Sequence, residues 1–229
     1  MSRPPQPSIC LPNKAVNNSG LTLIECLVAI AVIGLTAAVM APVMVFSVAT
    51  RIQSQRAEQA LQIAQGEVDQ IRLMAERGGD FSSALASYPI TSFASVAMTN
   101  PPKEALTYSL DSTTTNNAKK VDIGNGTTNR FAVQVFRSVG STPAGSTLPI
   151  AFDVGVRVYD LNAVNKYGST SSLRKDAASL NFTSGEGQRS TRPLAVIYTS
   201  IFQGDRDGAL CTYRLYLDSA ASTTGLDCN

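Results

Sequence analysis

Apolar residues run almost unbroken from Leu21 to Ala49, and then the rhythm changes. From Cys26 to Thr50 no residue carries a formal charge; the next is Arg51. As a helix this stretch reaches about 37 Å, enough to cross a hydrocarbon core of about 30 Å with some tilt. Beyond it Ala57, Ala60, Leu61, Ala64, Val68, Ile71 and Ala75 recur at spacings of three and four, which marks one helical face. Arg51, Arg56, Glu58, Glu67 and Asp69 fill the remainder, and Gly78-Gly79 is a stop. One helix is therefore predicted from about Leu21 to Arg77, roughly 85 Å if unbroken. Its first half suits an apolar medium and its second half suits a sheet.

The pattern then shifts to a period of two. Ile150, Phe152, Val154, Val156 and Val158 alternate with Ala151, Asp153, Gly155, Arg157 and Tyr159, which predicts a half-buried strand. Phe131, Val133 and Val135 alternate similarly. Leu194–Phe202 reads as a mostly apolar, central strand, and Leu210–Leu217 as a strand alternating through Cys211, Tyr213, Leu215 and Leu217. With a weaker strand at Leu106–Leu110, four to six antiparallel strands follow one helix, so the class is α+β. Residues 78–105 read as a loop with one short helix. Residues 111–129 read as turns around little structure, and 162–192 as a long, polar, exposed insertion.

Composition narrows the chemistry. The 229 residues leave room for one soluble domain of about 150 residues after the helix. There is no histidine, which excludes a histidine general base, a histidine-based triad and histidine-ligated zinc. No G-x-S-x-G elbow and no conspicuous acid pair appears, so nothing argues for an enzyme. Asn125-Gly126-Thr127 and Asn181-Phe182-Thr183 match glycosylation acceptors and read as ordinary turn sequence.

The most informative residue is Glu25. It stands at the head of the apolar run, where a charge costs about 2.5–3.5 kcal/mol on insertion scales, so a functional role is the default reading. It lies five residues after Gly20, which ends a polar, proline-rich leader. A secretory signal peptide would place its small cleavage residue after the core, whereas Gly20 precedes it. A lipoprotein signal built on Cys26 is opposed by Glu25 immediately before the cysteine. Cys26 itself reads as a small packed residue.

The segment Gly20-Leu21-Thr22-Leu23-Ile24-Glu25 with its following apolar helix resembles the signal of type IV prepilins and pseudopilins. The resemblance implies a pilin-like fold: one long N-terminal helix packed on a C-terminal antiparallel sheet. It implies four regions: a cleaved leader at 1–20, a transmembrane and assembly half at 21–50, an amphipathic half at 51–77, and a β-rich outer domain at 78–229. A prepilin peptidase would cut between Gly20 and Leu21 and methylate the new amine of Leu21, where the family more often has Phe. Glu25 would offer its carboxylate to the amine of a neighbouring subunit, and Pro42 would kink or locally melt the helix. The implied partners are that peptidase, other pilins or pseudopilins, an inner-membrane assembly platform, and membrane lipid before assembly. The implied location is the inner membrane, crossed once, with the C-terminal domain outside.

Loss of the leader removes Arg3 and Lys14, which leaves 17 basic against 17 acidic residues. That balance argues against nucleic-acid binding, which draws on excess positive charge. Cys211 and Cys228 enclose 16 residues near the C-terminus. An oxidising exterior makes a disulfide there plausible, worth roughly 3 kcal/mol in the chain-entropy model, and many pilins staple a C-terminal loop. Gln203-Gly204-Asp205-Arg206-Asp207-Gly208 resembles a fragment of a calcium loop but lacks the distal bidentate Glu; a tight turn explains Asp205 and Asp207 equally well. No other cofactor is expected.

Two functions compete. One is a structural subunit of a type IV pilus or type II secretion-like filament. The stretch Gly20–Ile30, with Arg56-Ala57-Glu58-Gln59-Ala60-Leu61 and Gly66-Glu67, looks like a cyanobacterial pseudopilin subgroup tied to polysaccharide secretion and surface motility. The other is a minor pilin whose head binds a surface, sugar or DNA. That reading calls for an exposed aromatic or basic cluster, and the chain has no Trp and only scattered tyrosines.

Overall fold

A computed structural model describes residues 20–77, 81–106, 114–122, 130–143, 148–178, 188, 190–204 and 209–218. The backbone divides into two compact units between Ala49 and Thr50. Helix α1 (Leu23–Glu76) contributes to both. In the first unit every side chain from Leu23 to Val48 is exposed, including Ile33 at 66%. The helix runs through Pro42 without a break in its assignment, although proline cannot donate to the carbonyl of Ala38.

In the second unit α1 buries Ala60, Ala64, Val68, Ile71 and Ala75. Two details depart from the sequence expectation. Leu61 is 43% exposed, and Glu67, assigned to the polar side, is buried at 8%. The buried stripe is thus rotated toward Glu67, because that carboxylate meets a lysine on the sheet.

The sheet comprises β1 (Glu104–Leu106), β2 (Asn117–Val121), β3 (Phe131–Arg137), β4 (Ala151–Asp160) and β5 (Ala195–Phe202), in that spatial order. The β1–β2 pair is parallel and the others are antiparallel. On one face Val133, Val135, Val154, Val156 and Val158 join the α1 stripe in the main core. Valines suit this surface because their branched side chains pack well on a pleat.

The opposite face is also covered, contrary to the half-buried strand expected from alternation. Every residue of β3 is buried, as is most of β4. The cover is the segment 91–100 with its 3₁₀ turn Val96–Met98, together with helix α3 (Leu161–Tyr167). Arg157 is fully buried here and directly opposite Gln134 in the ladder. Its Nη1 donates to the Thr99 carbonyl at 2.7 Å, its Nη2 to the Ala97 carbonyl at 2.9 Å, and its Nε to the Tyr198 hydroxyl at 2.8 Å. Gln134 Nε2 donates to the carbonyls of Asn100 and Thr115 at 2.8 and 2.6 Å. These two polar side chains satisfy three carbonyls of the covering segment and one, that of Thr115, just before β2. The guanidinium also lies 4.9 Å from the Phe136 ring centre. That ring occupies the space above Gly155, where any Cβ would collide with it.

Four further expectations are corrected. Strand β2 lies within 111–129, where the sequence suggests turns; its lysines obscure it, and Lys119 finds its partner on α1. Strand β5 closes one side of the sheet order instead of lying at its centre. Residues 209–217 form helix α4 (Ala209–Leu217) and not a strand. Ala209, Tyr213 and Tyr216, spaced by four and three, supply its inward contacts: Tyr213 stacks on Phe202 at 4.3 Å, and Tyr216 bonds Ser138 at 3.4 Å. Lastly, 162–192 is not wholly exposed. Ala163, Val164 and Leu173 pack with Tyr159, Ala132 and Ala118 in a second cluster. The 78–105 loop carries helix α2 (Ser82–Leu85) as well as the 3₁₀ turn.

Candidate assembly site

Gly20 and Leu21 precede α1 in non-helical backbone, and both are exposed, Leu21 at 70%. A scissile peptide bond needs this arrangement, since helical hydrogen bonding would shield it from a peptidase. Thr22 begins the helix. Its hydroxyl accepts from the Glu25 amide at 3.3 Å, and its carbonyl accepts from the amides of Glu25 and Cys26 at 3.0 and 3.2 Å. Thr22-Leu23-Ile24-Glu25 therefore has the threonine half of a capping box. Thr22 was not singled out from the sequence, although the spacing of threonine and glutamate was there to read.

Glu25 is exposed in the first helical turn, where the helix dipole favours a negative charge. The same turn leaves its carboxylate available to a partner, because no described side chain bonds it. Chemically the segment can present a peptide bond for cleavage and then a new amine at Leu21, four residues from a carboxylate. Pro42 follows Glu25 by about 25 Å along the helix axis. Within the apolar half the Thr36 hydroxyl donates to the Ile33 carbonyl at 2.9 Å, so this polar group is already satisfied without water. Cys26 is a free, exposed thiol.

The remaining site residues belong to the second unit. Cys211, on α4, is disulfide-bonded. Cys228 lies outside the described residues, as do Asp205 and Asp207 of the calcium-like segment. Among the described residues no group of three or more acids or thiols could hold a metal ion.

The second unit also holds four electrostatic features that sequence reasoning missed. Lys119 Nζ lies 2.5 Å from Glu67 Oε1, which ties β2 to α1, while Glu67 Oε2 is buried without a hydrogen-bond partner. Tyr88 lies nearby; burial, and then the Glu67 charge, push its phenol up to about 12. Burial lowers Arg137, whose Nε donates to the Leu85 carbonyl at 3.4 Å, and raises Tyr159, whose hydroxyl donates to the Arg174 carbonyl at 2.9 Å. These groups brace the sheet domain.

A long N-terminal apolar helix, a second half packed on a mostly antiparallel sheet, and an exposed Gly–Leu bond before a capped glutamate define a type IV prepilin-like protein. The family model for the prokaryotic N-terminal methylation motif matches residues 16–41. The match covers the processing segment and part of the apolar helix, but not the sheet. The motif implies a prepilin peptidase substrate that assembles with other pilins, and the pilin-type family is one of structural subunits. The motif and the one helix among the described residues that is long and apolar enough to span a membrane fit a membrane-anchored, single-pass protein. No curated protein and no solved structure matches the chain.

Proposed function

We propose that this chain is a pseudopilin or minor pilin of a type IV pilus or type II secretion-like filament, serving polysaccharide secretion and surface motility. It is a structural subunit and not an enzyme. The observation that carries the reading is the methylation motif at residues 16–41 on an exposed Gly20–Leu21 bond. In this reading Leu21 becomes the methylated N-terminus. Its amine, on one subunit, pairs with Glu25 of a neighbour, which removes an unpaired carboxylate from lipid and sets the axial register. Pro42 adjusts the helix as it leaves the membrane. An inner-membrane platform receives the subunit, and the sheet domain, stapled through Cys211 and Cys228, remains outside. The polysaccharide and motility roles rest on the likeness of Gly20–Ile30 to the cyanobacterial subgroup.

The test is mass spectrometry of the mature N-terminus from cells with and without the prepilin peptidase. Methylated Leu21 that disappears with the enzyme supports the reading. An intact leader, or a cut after the apolar run, overturns it. Deleting the gene should then reduce both secreted polysaccharide and surface movement; normal levels of both would remove the finer assignment while leaving the subunit class.

A further inference from the structure

The sheet has two edges, and the residues treat them differently. β1 is three residues long, follows Pro101-Pro102-Lys103 and begins with Glu104. Shortness, proline and charge are devices by which proteins keep a sheet edge from adding strands. β5 is eight residues long and ends the sheet order on the other side. Between Ala195 and Phe202 it has no proline, no glycine and no charged residue.

The backbone of β5 shows what this edge offers. Gln203 donates its amide to the Ile150 carbonyl at 2.9 Å, and the register sets Ile201 opposite Phe152, Thr199 opposite Val154 and Ile197 opposite Val156. Antiparallel alternation therefore turns the amides and carbonyls of residues 197, 199 and 201 toward β4, and those of Val196, Tyr198, Ser200 and Phe202 away from it. Among the described residues these outward backbone groups have no hydrogen-bond partner. Tyr198 is 38% exposed, and Ser200 is exposed as well. Paired donors and acceptors that repeat every second residue match the backbone of another strand.

We propose that the outer edge of β5 is a strand-accepting site, on which Val196, Tyr198, Ser200 and Phe202 bind an extended, uncharged segment of another protein as a sixth strand. A second copy of this chain does not fit there. Antiparallel pairing of β5 with itself turns one copy end for end. The α1 segments on the two sheets then run in opposite directions, which copies anchored in one membrane by the same helix do not allow. β1 of a second copy is only three residues long, and it brings Lys103 and Glu104 to an edge without charge. Main-chain bonds supply the affinity. Tyr198 and Phe202 on one face, with Ile197 and Ile201 on the other, favour apolar or hydroxyl-bearing side chains in the incoming strand.

The test is hydrogen exchange on the full chain in detergent, with and without a short, end-blocked peptide of alternating threonine and valine. The amides of Val196, Tyr198, Ser200 and Phe202 should exchange freely alone and about tenfold more slowly with the peptide. The same peptide with every amide methylated keeps its side chains but cannot donate, and should give no protection. Ser200→Pro removes an outward N–H and leaves the ladder to β4, so residues 197, 199 and 201 should stay protected while the peptide effect is lost. Ser200→Ala gives up only the hydroxyl bond to Asp153 and should keep the peptide effect. Outward amides already slow in the free chain would mean that the chain covers its own edge, and slowing with protein concentration alone that a second copy binds there; either result overturns the site. So does an absence of protection by the peptide, or equal protection by its methylated form.

Discussion

Helix α1 contains two halves that differ in almost every respect except backbone conformation. Residues 23–48 are nearly all apolar, and every one of them is exposed. Between residues 50 and 76 charges are frequent, yet Ala60, Ala64, Val68, Ile71 and Ala75 are buried. Apolarity alone therefore does not say where a residue is buried in one chain. The first half must take its apolar surroundings from lipid or from neighbouring helices, as befits a prepilin-like protein. The second half makes its own core against the valines of β3 and β4. Each half also holds one glutamate of special interest. Glu25 is exposed and bonded by no described side chain, whereas Glu67 is buried and paired with Lys119.

The sharpest way to break this comparison is to make one substitution in both halves. Ile71→Ala should destabilise the sheet domain by about 2–4 kcal/mol, through lost burial and the cavity left behind. Ile33→Ala removes the same atoms and should leave domain unfolding within about 0.5 kcal/mol of the parent. Urea titration of the detergent-solubilised chain, followed by tyrosine fluorescence, measures both. Equal losses would show that the halves form one cooperative core.

The next effect comes from pH. Tyr88 has a folded pKa of about 12 against an ordinary value near 10, because burial and Glu67 oppose the phenolate. A pKa raised on folding contributes stability fully below pH 10, and that contribution fades as pH rises through 12. Stability should therefore fall across that window, and Tyr88→Phe should remove the fall from the stability profile. A Tyr88→Phe chain with an unchanged alkaline limb would show that Tyr88 is not held this way.

Smaller is the contrast between the two glutamates. Glu67→Gln weakens a charge-assisted bond to Lys119 and should cost about 1–2 kcal/mol in unfolding. Glu25→Gln should leave unfolding unchanged while lowering the assembled fraction, read by fractionating filaments from membranes. Smallest of all, Gly66→Ala should raise domain stability by about 0.5–1 kcal/mol, since alanine is the better helix former and the space is open. A loss of stability there would mean that Gly66 serves the fold of the single chain.

Local pattern was enough for much of this molecule. The length of the uncharged run, the position of Gly20 and Glu25 before it, the small-residue face from Ala60 to Ala75, and the valine alternation of β3 and β4 all follow from residues close in sequence. Periodicity and charge are local properties, so such features are legible without a fold. Other decisions came from contacts between distant residues. Cys211, Tyr213, Leu215 and Leu217 alternate as a strand would. Ala209, Tyr213 and Tyr216 satisfy a helix equally well, and the positions of Phe202 and Ser138 favour the second. Strand β2 looked like a polar turn until Lys119 met Glu67. Arg157 read as an outward-facing charge on an alternating strand, yet it is fully buried because Ala97 and Thr99, about 60 residues away, bring carbonyls that need a donor. A polar side chain can be buried only where its partners are, and tertiary structure alone brings those partners to it.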